Sequence, residues 1–155
     1  MDYEIRESNI EELGDIIDLN QKLFYYEFEY FDQTLDCEWP ERHKDYFKKS
    51  IENESSLTLV AISNNHVIGY LIGKIGISDD YRNVDLIAEI ENMFILPEFR
   101  GKEIGTALCK RFFEWAKIKG IKKSKVEASA SNKKAIDYYK KNGFNEYNII
   151  LERDL

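Results

Sequence analysis

A short loop, residues 100–106, combines residue types that can bind a phosphate group. It follows a β-rich run that stops at Pro97, contains Arg100, Gly101, Lys102 and Gly105, and leads into an amphipathic helix. Backbone amides at a helix start and the positive end of the helix dipole favour a pyrophosphate. The glycine spacing matches neither a P-loop nor a Rossmann dinucleotide loop, which excludes those two sites. A strand, a turn and a capped helix with incidental basic residues would give the same pattern.

Two acidic residues, Glu89 and Glu91, lie inside the apolar run of residues 86–96. Because they are two positions apart, they share one face of a predicted strand. A carboxylate in a central strand is costly unless water or a partner group solvates it. Each is therefore either a candidate for proton transfer or a member of a cross-strand salt bridge.

The segment of residues 24–39 interleaves acidic and aromatic side chains. Carboxylates and ring faces together bind cationic amines through charge and cation–π contacts. A helix end that packs its rings into the core and leaves its acids in water is the alternative. The candidates for substrate binding in this segment are Tyr26, Glu27, Glu29 and Tyr30.

The elements that must position these residues follow from hydrophobic periodicity. Alternation predicts a first strand at residues 3–5, and helical spacing predicts a long helix from Ile10, capped by Ser8 or Asn9. A second amphipathic helix is expected over residues 41–53. Two β-rich runs, residues 57–63 and 67–76, form a hairpin across the Asn64–Asn65 turn.

The second half of the chain continues with a strand over residues 86–96 and a helix after the loop. A strand over residues 124–130, a helix over 132–142 ending at Gly143, and a last strand over 147–153 follow. The order β-α-α-β-β-β-α-β-α-β predicts one α/β domain with a mixed, mostly antiparallel sheet of about six strands and about four helices.

Two sequence blocks resemble the GNAT superfamily of N-acetyltransferases. The family's phosphate-binding signature, Q/R-x-x-G-x-G/A, lies over residues 100–105. A second block, N-x-x-A-x-x-x-Y-x-x-x-G-F, is matched by Asn132, Ala135, Tyr139, Gly143 and Phe144. The resemblance covers residues 85–150, and upstream of them only the order of predicted elements agrees.

The resemblance implies a single domain, residues 1–155, with the acceptor side at about 1–54 and the CoA-binding core at about 85–150. The expected reaction is direct attack of a primary amine, of a small molecule or a peptide, on acetyl-CoA. Tyr139 occupies the position of the general acid, and Glu89, then Glu91, that of the base. The expected acetyl-CoA contacts are Met93, Phe94, Ile95, Arg100, Gly101, Lys102, Glu103, Ile104, Gly105, Thr106, Asn132, Ala135 and Tyr139.

Glu103 departs from the family pattern, because it stands where the signature has its first glycine. We expect its side chain to point to solvent from the first helical turn, where an acid suits the helix dipole. Replacing it with glycine would then cost helix stability. A carboxylate beside a pyrophosphate would repel it. The protein could then lack activity, so a second function stays open, a non-catalytic acyl-CoA-binding or sensing module.

Composition excludes several other classes. The 155 residues carry a net charge of −7, which disfavours nucleic-acid binding, and no apolar run is long enough for a bilayer. The net charge is −14 over residues 1–99 and +7 over residues 100–155, which indicates either an acidic half for a cation and a basic half for an anion, or two solvated surfaces. Two cysteines and two histidines predict no metal site and a reduced, cytoplasmic protein, either a monomer or a homodimer.

Overall fold

The computed structural model describes residues 1–155 and is built on one five-stranded sheet in the order β1-β2-β3-β4-β5. All neighbouring strands are antiparallel except β4 and β5, which run parallel. The predicted mixed, mostly antiparallel sheet is confirmed, with five strands in place of six. The strands are β1 (Glu4–Glu7), β2 (Ser56–Ser63), β3 (His66–Ile77), β4 (Leu86–Ile95) and β5 (Ser124–Val126).

Helices cover both faces of the sheet. Against one face, α4 buries Leu108 and Phe112 over Leu71. Against the other, α1 and α3 bury Ile16 and Phe47 beside Tyr70. The sheet is therefore the middle of three layers, and one end of it is where functional side chains from both outer layers can meet. The helices are α1 (Leu13–Tyr30), α2 (Trp39–Arg42), α3 (Lys44–Glu52), α4 (Ile104–Ile118) and α5 (Lys133–Lys141).

Local signals account for most helix and turn positions. Asn9 caps the first helix through a capping box with Glu12, and one 3-10 turn, Ile10–Glu12, precedes α1. The β2–β3 hairpin turns at Asn64 and Asn65, which both have positive φ, as predicted. No helix combines the length and the apolar character that a bilayer crossing requires.

Three predicted elements differ in the structure. The helix expected over residues 41–53 is split into α2 and α3, because the backbone leaves the helical region at His43, with φ −122° and ψ 44°. The strand expected over residues 124–130 ends at Val126, where its pairing with β4 stops. The last strand, expected over residues 147–153, does not form, since this segment has no strand partner.

A bulge in β4 creates the opening that the site needs. Opposite Ile72 and Gly73 of β3, β4 places Asn92 and Ile90, so Glu91 is an extra residue in the ladder. The pairing between β4 and β5 stops at Ile90 and Val126. Beyond this point the two parallel strands diverge, and the facing backbone groups of both are left without a strand partner.

Candidate active site

A cleft of about 1290 Å³ lies where β4 and β5 diverge. One wall is the end of α1, the second is β4, the third is the stretch after β5, and the ends of α4 and α5 close it. Residues far apart in sequence converge here because these elements all meet at one end of the sheet. Of the predicted site residues, the cleft is lined by Tyr26, Glu27, Glu89, Glu91, Met93, Phe94, Ile95, Arg100, Gly101, Glu103, Ile104, Gly105, Thr106, Asn132, Ala135 and Tyr139.

Three predicted site residues lie outside the cleft. Glu29 is two positions from Glu27 on α1, about 200° around the helix, so it points to the opposite side. Tyr30 packs on the Tyr26 ring at a centroid distance of 5.0 Å but is itself 60% exposed. The Lys102 ammonium lies over the Phe99 ring, 5.5 Å from its centroid, on the exposed side of the loop.

The predicted phosphate loop reaches α4 through two left-handed residues. Gly101 has φ +74°, and Glu103, the N-cap of α4, has φ +62° and ψ 10°. Glu103 is exposed, as expected, but it stands before the helix and not within its first turn. Glu103 therefore has the backbone conformation that the family's glycine would adopt without strain.

Gly105 allows α5 to approach the start of α4. A Cβ atom at this position would lie 2.7 Å from the Tyr138 hydroxyl and 3.2 Å from Cδ1 of Ile95. Gly105 is also buried, so any side chain here would be pressed against both neighbours. The second glycine of the signature thus has a packing role.

Arg100 ties the loop to the end of β4. Its Nε donates a hydrogen bond of 2.9 Å to the Ile95 carbonyl, and its guanidinium carbon lies 5.0 Å from the centre of the Phe94 ring. The positive charge is consequently held at the mouth of the cleft, beside the start of α4.

Two adjacent tyrosines of α5, Tyr138 and Tyr139, line the cleft in different surroundings. The Tyr138 hydroxyl contacts Sγ of Cys109 at 3.5 Å. The ring of Tyr139 packs edge-on against Phe144, with 5.7 Å between centroids, and its hydroxyl makes no hydrogen bond within the protein. Burial raises the pKa of Tyr139 above its ordinary value, so the hydroxyl stays protonated at neutral pH.

The two strand glutamates have different partners. Lys125 on β5 forms a salt bridge with Glu89 at 3.5 Å, the cross-strand alternative considered above. Partial burial raises the pKa of Glu89, and the Lys125 ammonium opposes that rise. Glu91, at the bulge, accepts a short hydrogen bond from the Tyr46 hydroxyl of α3.

A chain of polar side chains that the sequence analysis missed begins at Glu91. Tyr46 accepts a hydrogen bond from the Asn92 amide at 3.0 Å, and the Asn20 amide donates to Asn92 at 3.3 Å and to the Tyr70 hydroxyl at 2.7 Å. Asn20 is buried, and its Oδ1 has no hydrogen-bond partner. A buried asparagine among the apolar positions of a predicted helix was the one sequence signal for this network.

Glu27 of α1 lies against the start of α5. Its carboxylate accepts a hydrogen bond of 3.1 Å from the Ser129 hydroxyl. Burial is the main cause that raises its pKa, while hydrogen bonds from Ser129 and Asn132 act in the opposite direction. Asn132 also caps α5 by accepting from the Ala135 amide at 3.1 Å. Ser129 has no distinguishing pattern around it in the sequence.

Comparisons with known proteins agree with this architecture. An uncharacterised N-acetyltransferase of Methanocaldococcus jannaschii is 28% identical over 149 residues, 96% of this chain and 63% of that protein. The chain thus spans less than two thirds of the length of that relative.

Two solved structures share the fold. A single-residue mutant of the BH1408 protein from Bacillus halodurans superposes with a TM-score of 0.87 at 15% identity, covering 98% of this chain and 99% of that one. AAC(6')-Iy, in complex with the bisubstrate analogue CoA-S-monomethyl-acetylneamine, has a TM-score of 0.79 at 18% identity and covers 100% and 99% of the two chains.

The family model described as Acetyltransferase (GNAT) family matches residues 18–144, from the middle of α1 to Phe144. The matched range includes both sequence blocks, the bulged β4 and the diverging strands. The chain belongs to the GNAT family of acetyltransferases.

Proposed function

We propose that this protein is an N-acetyltransferase that transfers the acetyl group of acetyl-CoA to a primary amine of a small molecule or a peptide. The observation that carries the proposal is the divergence of β4 and β5 after Ile90 and Val126, which opens a cleft between two unpaired backbone edges. Among the residues that line this cleft are one tyrosine and three glutamates that we propose for proton transfer during acyl transfer: Tyr139, Glu27, Glu89 and Glu91.

The cleft suits an acyl-CoA on three grounds. It is large, residues 93–95 of β4 have a strand partner only on the β3 side and can pair with an amide-containing arm on the other, and the left-handed loop presents the start of α4 to a pyrophosphate. Basic side chains collect at the same end of the cleft: Arg100, Lys134 and Lys141. Ile104 and Thr106 flank Gly105 there, and Asn132 and Ala135 form the start of α5.

Acetyl-CoA supplies the thioester carbonyl that the amine attacks; the new C–N bond forms as the C–S bond breaks. Glu89 accepts the proton that the amine loses, directly or through water, and the Lys125 ammonium beside it favours the ionised carboxylate. Tyr139 donates its hydroxyl proton to the departing thiolate; burial raises its pKa and so keeps the hydroxyl protonated, and the hydroxyl has no partner in the protein to give up first. Glu91 is the second candidate for the base and is oriented by Tyr46.

The acceptor is proposed to be a cationic amine. The side of the cleft formed by α1 carries Glu27 and Asp32 next to Tyr26, which together attract and orient an ammonium group. The solved neighbour AAC(6')-Iy holds an acetylneamine-derived analogue, which is a reason to include aminoglycosides among the test acceptors.

The competing function, an acyl-CoA-binding module without turnover, was motivated by Glu103. Glu103 adopts the left-handed backbone that glycine would adopt, and its residue is exposed at the edge of the cleft, so the loop keeps the backbone shape of the family signature. The feature that suggested a binding module is thus compatible with an enzyme.

A thiol-release assay tests the proposal. Purified protein and acetyl-CoA would be screened against polyamines, aminoglycosides, amino acids and peptides with a free N-terminus. We expect acceptor-dependent release of CoA thiol that saturates with acetyl-CoA. Stabilisation by acetyl-CoA without thiol release from any acceptor would support the binding module, and the absence of both would show that the cleft is not a CoA site.

A further inference from the structure

Arg100 uses only part of its hydrogen-bonding capacity within the chain. Its Nε donates to the Ile95 carbonyl at 2.9 Å, whereas its two terminal nitrogens form no hydrogen bond or salt bridge. The Leu96 amide donates to the Ile68 carbonyl of β3, so the backbone groups of Ile95, one residue earlier, point to the opposite edge of β4. The guanidinium is therefore attached to the edge that borders the cleft and keeps two nitrogens for a ligand.

Two aromatic rings hold the same guanidinium. Its carbon atom lies 5.0 Å from the centre of the Phe94 ring, on β4, and 5.8 Å from the centre of the Tyr26 ring, on α1. Both distances are within the range of a cation–π contact. Tyr26 was expected among the acceptor contacts, yet its ring lies against the cation of the phosphate loop.

Tyr26 is itself fixed at the end of α1. Its ring packs edge-on against Phe31, with 5.6 Å between centroids, and lies 5.0 Å from the Tyr30 ring. The next residue, Glu27, accepts the hydrogen bond from Ser129 in the stretch after β5. The end of α1 therefore contacts the walls on both sides of the cleft, the phosphate loop through Tyr26 and the stretch after β5 through Glu27.

Fixing the Arg100 side chain before a ligand arrives favours anion binding. An exposed arginine has many rotamers, and ordering it on binding costs conformational entropy. Arg100 is exposed, but its hydrogen bond and the two rings already restrict it. A planar guanidinium can lie on a ring face and still offer two nitrogens to a phosphate group, which a lysine cannot do.

We propose that Tyr26 is a positioning residue for the acyl-CoA site, because its ring holds the Arg100 guanidinium ready for the pyrophosphate. A side chain of the acceptor wall thus contributes to binding of the acyl donor, through Arg100 and without touching the donor itself. This inference rests on the proposed function, which supplies acetyl-CoA as the ligand of the loop.

The affinity for acetyl-CoA, measured by calorimetry on the full chain, tests the proposal. Tyr26→Leu should raise the dissociation constant about 3- to 30-fold, the range that a cation–π contact represents. Tyr25→Leu, the same replacement at the preceding position, which is exposed and outside the cleft, should leave it unchanged. In a chain that already carries Arg100→Met, adding Tyr26→Leu should cause no further loss.

Variants that keep an aromatic ring separate its charge distribution from its packing. Tyr26→Phe removes only the hydroxyl and should bind acetyl-CoA as the unmodified protein does. Pentafluorophenylalanine at the same position keeps a ring but removes the negative potential of its face, so it should weaken binding as Tyr26→Leu does. Both variants preserve the ring packing, and thermal unfolding without ligand confirms that each is folded. Equal affinity of these two variants would overturn the proposal.

S-Acetylpantetheine, which lacks the pyrophosphate and the nucleotide, locates the effect within the ligand. Its dissociation constant, from the concentration dependence of the thermal shift, should be the same in Tyr26→Leu and in the unmodified protein. An equal loss of affinity for both donors would overturn the proposal, because Tyr26 would then act on the acyl end of the cleft.

The unmodified protein separates failure of this inference from failure of the proposed function. If it binds acetyl-CoA and Tyr26→Leu binds equally well, only the role of Tyr26 is wrong. If it binds no acetyl-CoA at millimolar concentration, the proposed function is wrong, and the role of Tyr26 is wrong with it.

Discussion

Tyr138 and Tyr139 are neighbours on α5 with opposite surroundings, and this difference decides which hydroxyl is available for chemistry. The Tyr138 hydroxyl is in contact with Cys109 and lies where a Gly105 side chain would be, whereas the Tyr139 hydroxyl has no partner in the protein. A free hydroxyl on a half-buried ring can donate to a substrate group without first breaking an internal contact.

Tyr139→Phe should therefore lower turnover by about 10²- to 10⁴-fold, the usual contribution of general acid catalysis, while acetyl-CoA binding stays nearly unchanged. Tyr138→Phe is the matched control, since it removes the adjacent hydroxyl and should leave the chemical step much less affected. The measurement is kcat and KM under conditions where chemistry limits the rate. Wild-type turnover in Tyr139→Phe would make this tyrosine structural.

Glu89→Gln tests the proposed base. An ammonium acceptor must lose a proton before attack, so activity rises with pH. Without the carboxylate this rise should move to higher pH, and activity should recover partly there. Glu91→Gln, measured with the same acceptor, is the comparison because the observed pKa belongs jointly to enzyme and substrate. An unchanged profile in Glu89→Gln together with a shifted one in Glu91→Gln would reassign the base to Glu91.

Glu103→Gly should stabilise the protein by about 1 kcal/mol, because a left-handed conformation is strained for residues other than glycine. If Glu103 stood inside the helix, as the sequence predicts, the same replacement would instead lower the stability of the protein. Acetyl-CoA binding should tighten slightly as the carboxylate is lost. Lys102→Gly, at a neighbouring exposed position without positive φ, should give no such gain. Urea unfolding measures both variants, and a lower free energy of unfolding in Glu103→Gly would contradict the assignment of strain.

At the scale of elements, the site exists because α4, α5 and the ends of β4 and β5 approach one another closely. Gly105 is the position where this approach is tightest, since its missing Cβ leaves room for the Tyr138 hydroxyl and the Ile95 side chain. The bulge at Glu91 and the early end of β5 open the neighbouring space. Close packing on one side of the cleft and separation on the other thus define it together.

Gly105→Ala should destabilise the fold by about 1–3 kcal/mol through overpacking between α4 and α5. If the Tyr138 hydroxyl is the atom that clashes, Tyr138→Phe should cost little by itself and should recover part of the loss in the double variant. A double-mutant cycle by thermal or urea unfolding gives the coupling energy. Additive effects of the two changes would show that α5 does not press on Gly105.

At the scale of the whole molecule, the cleft joins the acidic first part of the chain to the basic last part. Its acids come from α1, the following segment, β4, the loop and the stretch after β5, and its bases come from the loop and α5. We expect a ligand of this cleft to meet side chains of both charges. A cationic acceptor and an anionic acyl donor satisfy this condition.

Acetyl-CoA at 100 times its dissociation constant should stabilise the native state by about 2.7 kcal/mol, which is a rise in melting temperature of about 5–10 °C. Gly105→Asp, which adds bulk and negative charge at the loop, should lose that rise. Thermal unfolding with and without acetyl-CoA and CoA is the measurement. If millimolar acetyl-CoA leaves the melting temperature unchanged, the loop is not a CoA site.

Local signals in the sequence determined much of this protein. The capping box at Asn9, the Asn64–Asn65 turn and the glycine-containing loop each depend on neighbouring residues, and each lies where the sequence predicts it. The two sequence blocks were enough to predict the family. Periodicity also predicted that Glu89 and Glu91 lie on one strand in an unfavourable position, although not which partners they have.

Tertiary structure alone decided the features that depend on contacts distant in sequence. The early end of β5 follows from the bulge in β4, and Tyr46, Asn92, Asn20 and Ser129 join the site only because α1, α3 and α5 pack around it. The strand pattern of residues 147–153 is real in the sequence, but a strand needs a partner edge as well as a pattern. Helix caps and turns are satisfied by the residues beside them, whereas strands and buried polar networks are completed by residues that only folding brings near.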